Sequence, residues 1–343
     1  MNAPIQLLSC DAARPLAEGV AARVGLPLLD VEERWFAGGE GKVCINQNVR
    51  GGDVYVFQSC VAPGAAGSVY DRFVMALHAI EAARLSGAER VTAVLPYYPG
   101  ARQDKRKNRV REGISAGLFA RMLQVAGATQ VLTVEIHNEA IAGMFDPSCC
   151  HLENIYITHR HANWLRSMKL CGDVVGAPDV GGLERARSYA EELSCGLVAL
   201  SKERDYSTVN RVLKSTLIGD VAGKEVLLVD DIVDTAGSVV AAVDELKEGG
   251  AGDITVACAH PVFSGPAWER LGGIADRAKA EGWRFTVTGT SSIKHPDAPE
   301  WYQEFRIEKL LAQVITKLNK RGSVTGVQQS DDPQSDDPQS DEP

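Results

Sequence analysis

The sequence predicts an α/β fold of two domains, each a mainly parallel sheet flanked by helices. Three observations carry that expectation. Short runs of Val, Ile and Leu alternate with longer amphipathic stretches, and the short runs are apolar at nearly every position. Strands of that kind are buried on both faces, as in a parallel sheet covered by helices. A pattern of helix end, strand and His also occurs twice, at a constant offset of 123 residues: 126–137 and 249–260. A length of 343 residues suits two medium domains.

Taken in order, strands are predicted at 54–58, 91–95, 131–136, 197–200, 226–229 and 254–259, and helices at 69–86, 115–126, 182–193 and 238–248. In 238–248, Val239, Val243 and Leu246 form one helical stripe, and Gly249 and Gly250 stop it. The last helix falls at 307–318. From Gln329 onward the chain repeats Gln-Ser-Asp-Asp-Pro and ends Asp-Glu-Pro, with no large apolar side chain, so disorder is expected there. The domains are expected at 1–152 and 153–305, followed by a helix at 306–321 and an acidic tail at 322–343.

The net charge is −9, but the repeats hold six acidic and no basic residues, which leaves −3 for the rest. An acidic balance argues against a nucleic-acid partner, because phosphate neutralisation needs excess Lys and Arg. The uncharged stretch 54–70 contains Gln58, Pro63, Gly64 and Gly67, so no membrane span is read, and no basic-then-apolar leader opens the chain. Eight scattered cysteines without a Cys-x-x-Cys pair exclude a zinc motif and fit a reducing cytoplasm. The vicinal Cys149-Cys150 pair leaves redox chemistry as a minor reading.

The strongest chemical signal is Glu225-Val-Leu-Leu-Val-Asp230-Asp231-Ile-Val-Asp234-Thr235-Ala236-Gly237-Ser238, followed by a helix. A buried strand ends in two carboxylates, and a short loop then enters a helix N-terminus. Loop amides and the hydroxyls of Thr235 and Ser238 suit a phosphate there, helped by the positive end of the helix. Carboxylates beside that nest suit sugar hydroxyls, at the carboxyl edge of the sheet where α/β folds bind ligands. A second feature is Pro96-Tyr-Tyr-Pro-Gly-Ala-Arg102-Gln103-Asp104-Lys105-Arg106. Arg102, Lys105, Arg106, Lys107, Arg109 and Arg111 place six cations in ten residues, which suits a polyphosphate. No aromatic residues interleave them, so base stacking along this run is unsupported.

The 225–238 segment resembles the phosphoribosyl-diphosphate loop shared by phosphoribosyltransferases and ribose-phosphate pyrophosphokinases. The remaining motifs resemble the pyrophosphokinase family, over residues 4 to 315. The resemblance implies two phosphoribosyltransferase-like domains with the active site between them, magnesium as cofactor, and ATP and ribose 5-phosphate as substrates. Asp230, Asp231, Asp234, Thr235, Ala236, Gly237 and Ser238 would then hold ribose 5-phosphate. Arg102 and Gln103 match the family's ATP segment, and Glu135-Ile-His137-Asn138 falls where the family has Asp-Leu-His, which gives His137 a role toward ATP and magnesium. A lone His at a strand end is more often structural. Pro178-Asp179-Val-Gly-Gly182 matches the second magnesium-proximal motif, carried on Asp179, and Arg185 follows, facing either phosphate or solvent. Lys202-Glu203-Arg204 matches the catalytic loop, with 205–216 as a lid.

Phe36-Ala-Gly38-Gly39-Glu40 stands where the family usually has Phe-Pro-Asp-Gly-Glu. Phe36 and Glu40 keep their ATP-site positions, and Gly38 replaces the Asp that reads the base. The family's base loop reaches a neighbouring subunit, so a homo-oligomer is implied. A catalytically impaired regulatory subunit of such an enzyme is the alternative, and it should show broken catalytic positions. A single-domain nucleobase phosphoribosyltransferase would explain neither the length nor Arg102-Gln103.

Overall fold

A computed structural model describes residues 2–106, 110–204 and 212–330, the side chains of 201–204 and 212–216 excepted. It divides into two compact units. The first takes Met1–Tyr156, Ser291–Lys294 and Arg306–Ser330, and the second Ile157–Thr290 and His295–Phe305.

The first unit opens with β1 (Ile5–Ser9), α1 (Arg14–Val24) and an antiparallel hairpin of β2 (Val31–Trp35) and β3 (Gly41–Ile45). It continues with β4 (Asp53–Phe57), α2 (Val69–Leu85), β5 (Arg90–Val94), α3 (Ser115–Ala126), β6 (Gln130–Val134) and β7 (His151–Ile155). Its sheet runs β1-β4-β5-β6-β7, parallel throughout. Every position of β4 and β6 is buried, which is why these strands read as apolar at most positions. Ser68 and Asp71 form a reciprocal cap that starts α2, and Gly127, at φ 100°, ends α3 in a conformation that side chains resist. Phe73 of α2 stacks on Phe119 of α3 at 4.4 Å.

The second unit contains α4 (Thr158–Ser167), β8 (Val174–Gly176), α5 (Leu183–Leu193), β9 (Gly196–Leu197), β10 (Ala199–Arg204) and β11 (Val212–Ile218). Then follow β12 (Val226–Val233), α6 (Gly237–Glu248), β13 (Ile254–Pro261), α7 (Ala267–Glu281), β14 (Phe285–Thr290) and β15 (Tyr302–Phe305). Its parallel sheet runs β15-β14-β13-β12-β8-β9, and β10 and β11 form a separate antiparallel pair. The apolar run predicted as one strand at 197–200 is therefore divided. Leu197 ends an edge strand, Val198 still donates to Val175 O at 2.8 Å, and β10 departs to pair with β11.

After β15 the chain returns to the first unit through α8 (Glu308–Asn319) and α9 (Thr325–Gln328). The amphipathic segment predicted at 307–318 is thus part of a domain core. Asn319 Nδ2 donates to Asp53 Oδ2 and to Ala3 O, both at 2.8 Å. Glu308, 2% exposed, accepts from Ser291 Oγ at 2.9 Å and meets Lys294 Nζ at 2.8 Å. Among the described residues no helix is long and apolar enough to cross a membrane. Residues 331–343 of the predicted tail lie outside the described part.

Candidate active site

In the second unit, β12 carries its apolar face up to Val229 and then presents Asp230, half-buried, and Asp231, 6% exposed. Asp231 N–H donates to Asp230 Oδ1 at 2.9 Å, so the first carboxylate is already turned back on the strand. Burial and the neighbouring Asp231 charge hold the Asp230 carboxyl well above the ordinary carboxylate range. Arg185 opposes that shift, and its Nη1 lies 3.6 Å from Asp231 Oδ1. Arg185 on α5 therefore faces the paired carboxylates, a partner the sequence reading did not name.

The loop after β12 turns through Ala236, which sits at φ 59° and is 4% exposed, and α6 starts at Gly237. A left-handed alanine is uncommon, and here it is the residue that points the chain into the helix. The amides of the first turn then lack helical acceptors, as at every helix start. Thr235, Gly237 and Ser238 are exposed beside them. The loop is braced by the strand next door. Phe263 N–H and Ser264 N–H donate to Val233 O and Asp234 O, each at 3.0 Å, and Ser264 Oγ donates to Asp234 Oδ1. From α7, Arg270 Nη1 donates to Thr235 O at 2.8 Å. Ser264 and Arg270 were not legible as site residues, because only the β12–β13 pairing puts them there.

Asp179 caps a short turn, Val180–Gly182, with its Oδ1 accepting from Gly181 N–H at 2.9 Å. Its charge also raises Asp230, so Asp179 and Asp230 act on one another electrostatically.

In the first unit, His137 is exposed three residues beyond β6, while its repeat counterpart His260 is 2% exposed and lies within β13. The repeat is thus architectural, and of the two only His137 is exposed. Glu135 is buried with φ 43°, and its N–H donates to Ile155 O at 3.0 Å, so the chain kinks sharply just before His137. Asn138 Nδ2 donates to the buried Asp104, tying the segment that carries the exposed Arg102, Gln103, Lys105 and Arg106 to the His137 turn. Gln103 accepts from Ser115 Oγ at the start of α3. Asp104 and Asn138 had no assigned role in the sequence reading, yet they bring its two ATP motifs together. Phe36, 46% exposed, and Glu40 stand at the tip of the β2–β3 hairpin, joined by Phe36 N–H to Glu40 O at 2.8 Å. Nothing lies within 4 Å of a Cβ placed on Gly38.

Lys202 and Arg204 lie on β10, opposite Ser215 and Val212. Their side chains, residues 205–211 and the cations Lys107 and Arg109 are outside the described residues.

A profile of the N-terminal domain of ribose phosphate pyrophosphokinase matches residues 5–127, and a phosphoribosyl transferase domain profile matches 155–309. The ribose-phosphate pyrophosphokinase of Campylobacter jejuni is 38% identical over 94% of this chain and 98% of its own. The chain belongs to the ribose-phosphate pyrophosphokinase family. That of Chlorobaculum tepidum is 41% identical over 79% of this chain and 80% of its own. The crystal structure of phosphoribosylpyrophosphate synthetase from Mycobacterium smegmatis superimposes with a TM-score of 0.81 at 31% identity, covering 93% of this chain and all of that one.

Membership in this family gives the donor set a test. Among the described residues no three His, Cys, Asp or Glu side chains cluster around a metal position. Magnesium takes most of its ligands from substrate phosphates and waters, so a site offering one or two protein groups fits it. Burial pushes the Cys150 thiol up to about 12, which disfavours Cys150 as the nucleophile of a redox pair, while Cys149 is exposed.

Proposed function

We propose that this ribose-phosphate pyrophosphokinase transfers the β,γ-diphosphoryl group of Mg-ATP to the 1-hydroxyl of ribose 5-phosphate, releasing AMP. The bond from O1 of the sugar to the β-phosphorus forms as the bridging bond from that phosphorus to the α-phosphate oxygen breaks, and the hydroxyl proton is lost. The observation that carries the reading is the β12–α6 turn, where paired carboxylates and a helix start adjoin within a member of this family.

The residues divide the work by chemistry. Exposed groups at 235–238 and the first α6 amides hold the 5-phosphate, with Ala236 fixing the turn and Asp234 held by Ser264. Asp230 and Asp231 accept from the ribose hydroxyls, and Arg185 beside them partly offsets the upward shift of the Asp230 carboxyl. Arg102, Gln103 and His137 hold the ATP phosphates, with Phe36 and Glu40 toward the nucleoside. Magnesium would supply neutralisation of the phosphate charge, and the Asp179 carboxylate and His137 are the residues that would hold it. Lys202 and Arg204 stabilise charge on the group in transit, where positioning and electrostatics carry phosphoryl-type transfer. The chain acts in the cytoplasm as a homo-oligomer.

The test is turnover by purified protein with ribose 5-phosphate, ATP and magnesium. Release of AMP with phosphoribosyl diphosphate is expected, and failure with every nucleoside triphosphate would reject the reading.

A further inference from the structure

Three consecutive carbonyls of the β12–α6 turn are engaged by one neighbouring segment, 263–270. Val233 O accepts from Phe263 N–H and Asp234 O from Ser264 N–H, each at 3.0 Å, and Thr235 O accepts from Arg270 Nη1 at 2.8 Å. In a planar trans peptide the C=O and the next residue's N–H point in opposite directions. The N–H groups of Asp234, Thr235 and Ala236 therefore turn away from that segment, and successive amides turned to one side make a concave nest for an anion.

The first two ties are backbone to backbone, and their donors are firmly placed. Phe263 is 5% exposed and holds φ 44°, a costly conformation for an aromatic residue. Its ring is packed by Trp268 at 4.8 Å, His295 at 5.1 Å and Tyr302 at 5.7 Å, the kind of surrounding that sustains such strain. The third tie depends on one side chain, from the start of α7. Arg270 Nη1 also stands 3.4 Å from a Cβ placed on Gly237, so the guanidinium lies beside the first residue of α6. The positive end of a helix disfavours a neighbouring cation and favours an anion.

We propose that Arg270 is a positioning residue for ribose 5-phosphate. It fixes the Thr235–Ala236 peptide so that Ala236 N–H faces the 5-phosphate, and the phosphate in turn balances the cation held at the start of α6. The assignment rests on the 5-phosphate binding at this turn.

Calorimetry with ribose 5-phosphate and steady-state kinetics test this on the full-length chain and its R270M, R270A and R270K variants. R270M and R270A should each raise Kd and KM for ribose 5-phosphate about tenfold, the scale for losing a hydrogen bond from a charged donor. KM for ATP should stay within about twofold, because the tie lies on the sugar-phosphate side. R270K should return to within about threefold of the unaltered chain, since an ammonium can still donate to Thr235 O. An unchanged Kd in R270M, an equal rise in both KM values, or no recovery in R270K would overturn the proposal. Loss of folding in both R270M and R270A would mark Arg270 as a fold residue and overturn it as well. No turnover by the unaltered chain would reject the reaction instead, and the order of the ribose 5-phosphate Kd values would still decide the role of Arg270. No binding of ribose 5-phosphate by the unaltered chain would overturn both.

Discussion

Arg185→Gln separates the electrostatic account of the sugar site from a purely steric one. At 3.6 Å the Arg185–Asp231 attraction amounts to about 1.2 kcal/mol in water and about 4.6 kcal/mol at an effective dielectric of 20. Side-chain exposures of 19% and 8% put the pair between those limits, and about 2 kcal/mol is a reasonable working figure. That energy corresponds to about 1.5 pH units in carboxylate titration. Ribose hydroxyls are accepted by the ionised carboxylates, so the acid limb of kcat/KM for ribose 5-phosphate should move alkaline by about that amount. KM for ATP should stay within about twofold. The stability effect has a defined sign. A carboxyl held above its unfolded value, as at Asp230, supports the native state below the unfolded pKa and withdraws that support as pH rises through the folded one. The variant's deficit in Tm should therefore grow from pH 5 to pH 8. An unmoved acid limb in a folded variant, or a deficit that shrinks with pH, would refute the reasoning.

Ala236→Val places a β-branched side chain at φ 59° in a buried turn, and should raise KM for ribose 5-phosphate at least about tenfold, whereas Ala236→Gly should stay within a few-fold. Initial-rate kinetics on both variants decide it. Asn138→Ala cuts the tie to Asp104, a hydrogen bond to a carboxylate of about 1.5–3 kcal/mol, and should raise KM for ATP about tenfold with the sugar KM unchanged. Equal effects on both substrates would mean Asn138 only supports folding. Lys202→Ala should lower kcat by about 100-fold or more, the scale for loss of a charge partner in transfer, and near-normal turnover would remove Lys202 from the chemistry.

The interior strands β4, β5, β6, β12 and β13 were legible because burial on both faces makes them apolar at most positions, whereas the equally buried interior strand β14, Phe-Thr-Val-Thr-Gly-Thr, was not, because Thr and Gly interrupt its apolar residues. The short and peripheral strands were not legible either. The inner strand β8 and the edge strand β9 have three and two residues, too few to show a period, and the hairpin strand β2 has three charged residues in a row between Val31 and Trp35. The site divided in the same way. The β12–α6 turn is one contiguous segment with its own chemistry, so its residues could be named from the chain alone. Ser264, Arg270 and Asn138 act through contacts at separations of 30, 35 and 34 residues, which strand pairing creates and local pattern does not record. Arg185 was visible as a cation on a helix, but its partner was decided by which face of α5 meets β12.

The most direct test of the central claim is the identity of the nucleotide product. Incubating the purified chain with ribose 5-phosphate, magnesium and ATP labelled in its β-phosphate should give AMP and labelled phosphoribosyl diphosphate in equal amounts. Formation of ADP, which marks transfer of the γ-phosphoryl group alone, or an AMP yield independent of ribose 5-phosphate, would contradict it.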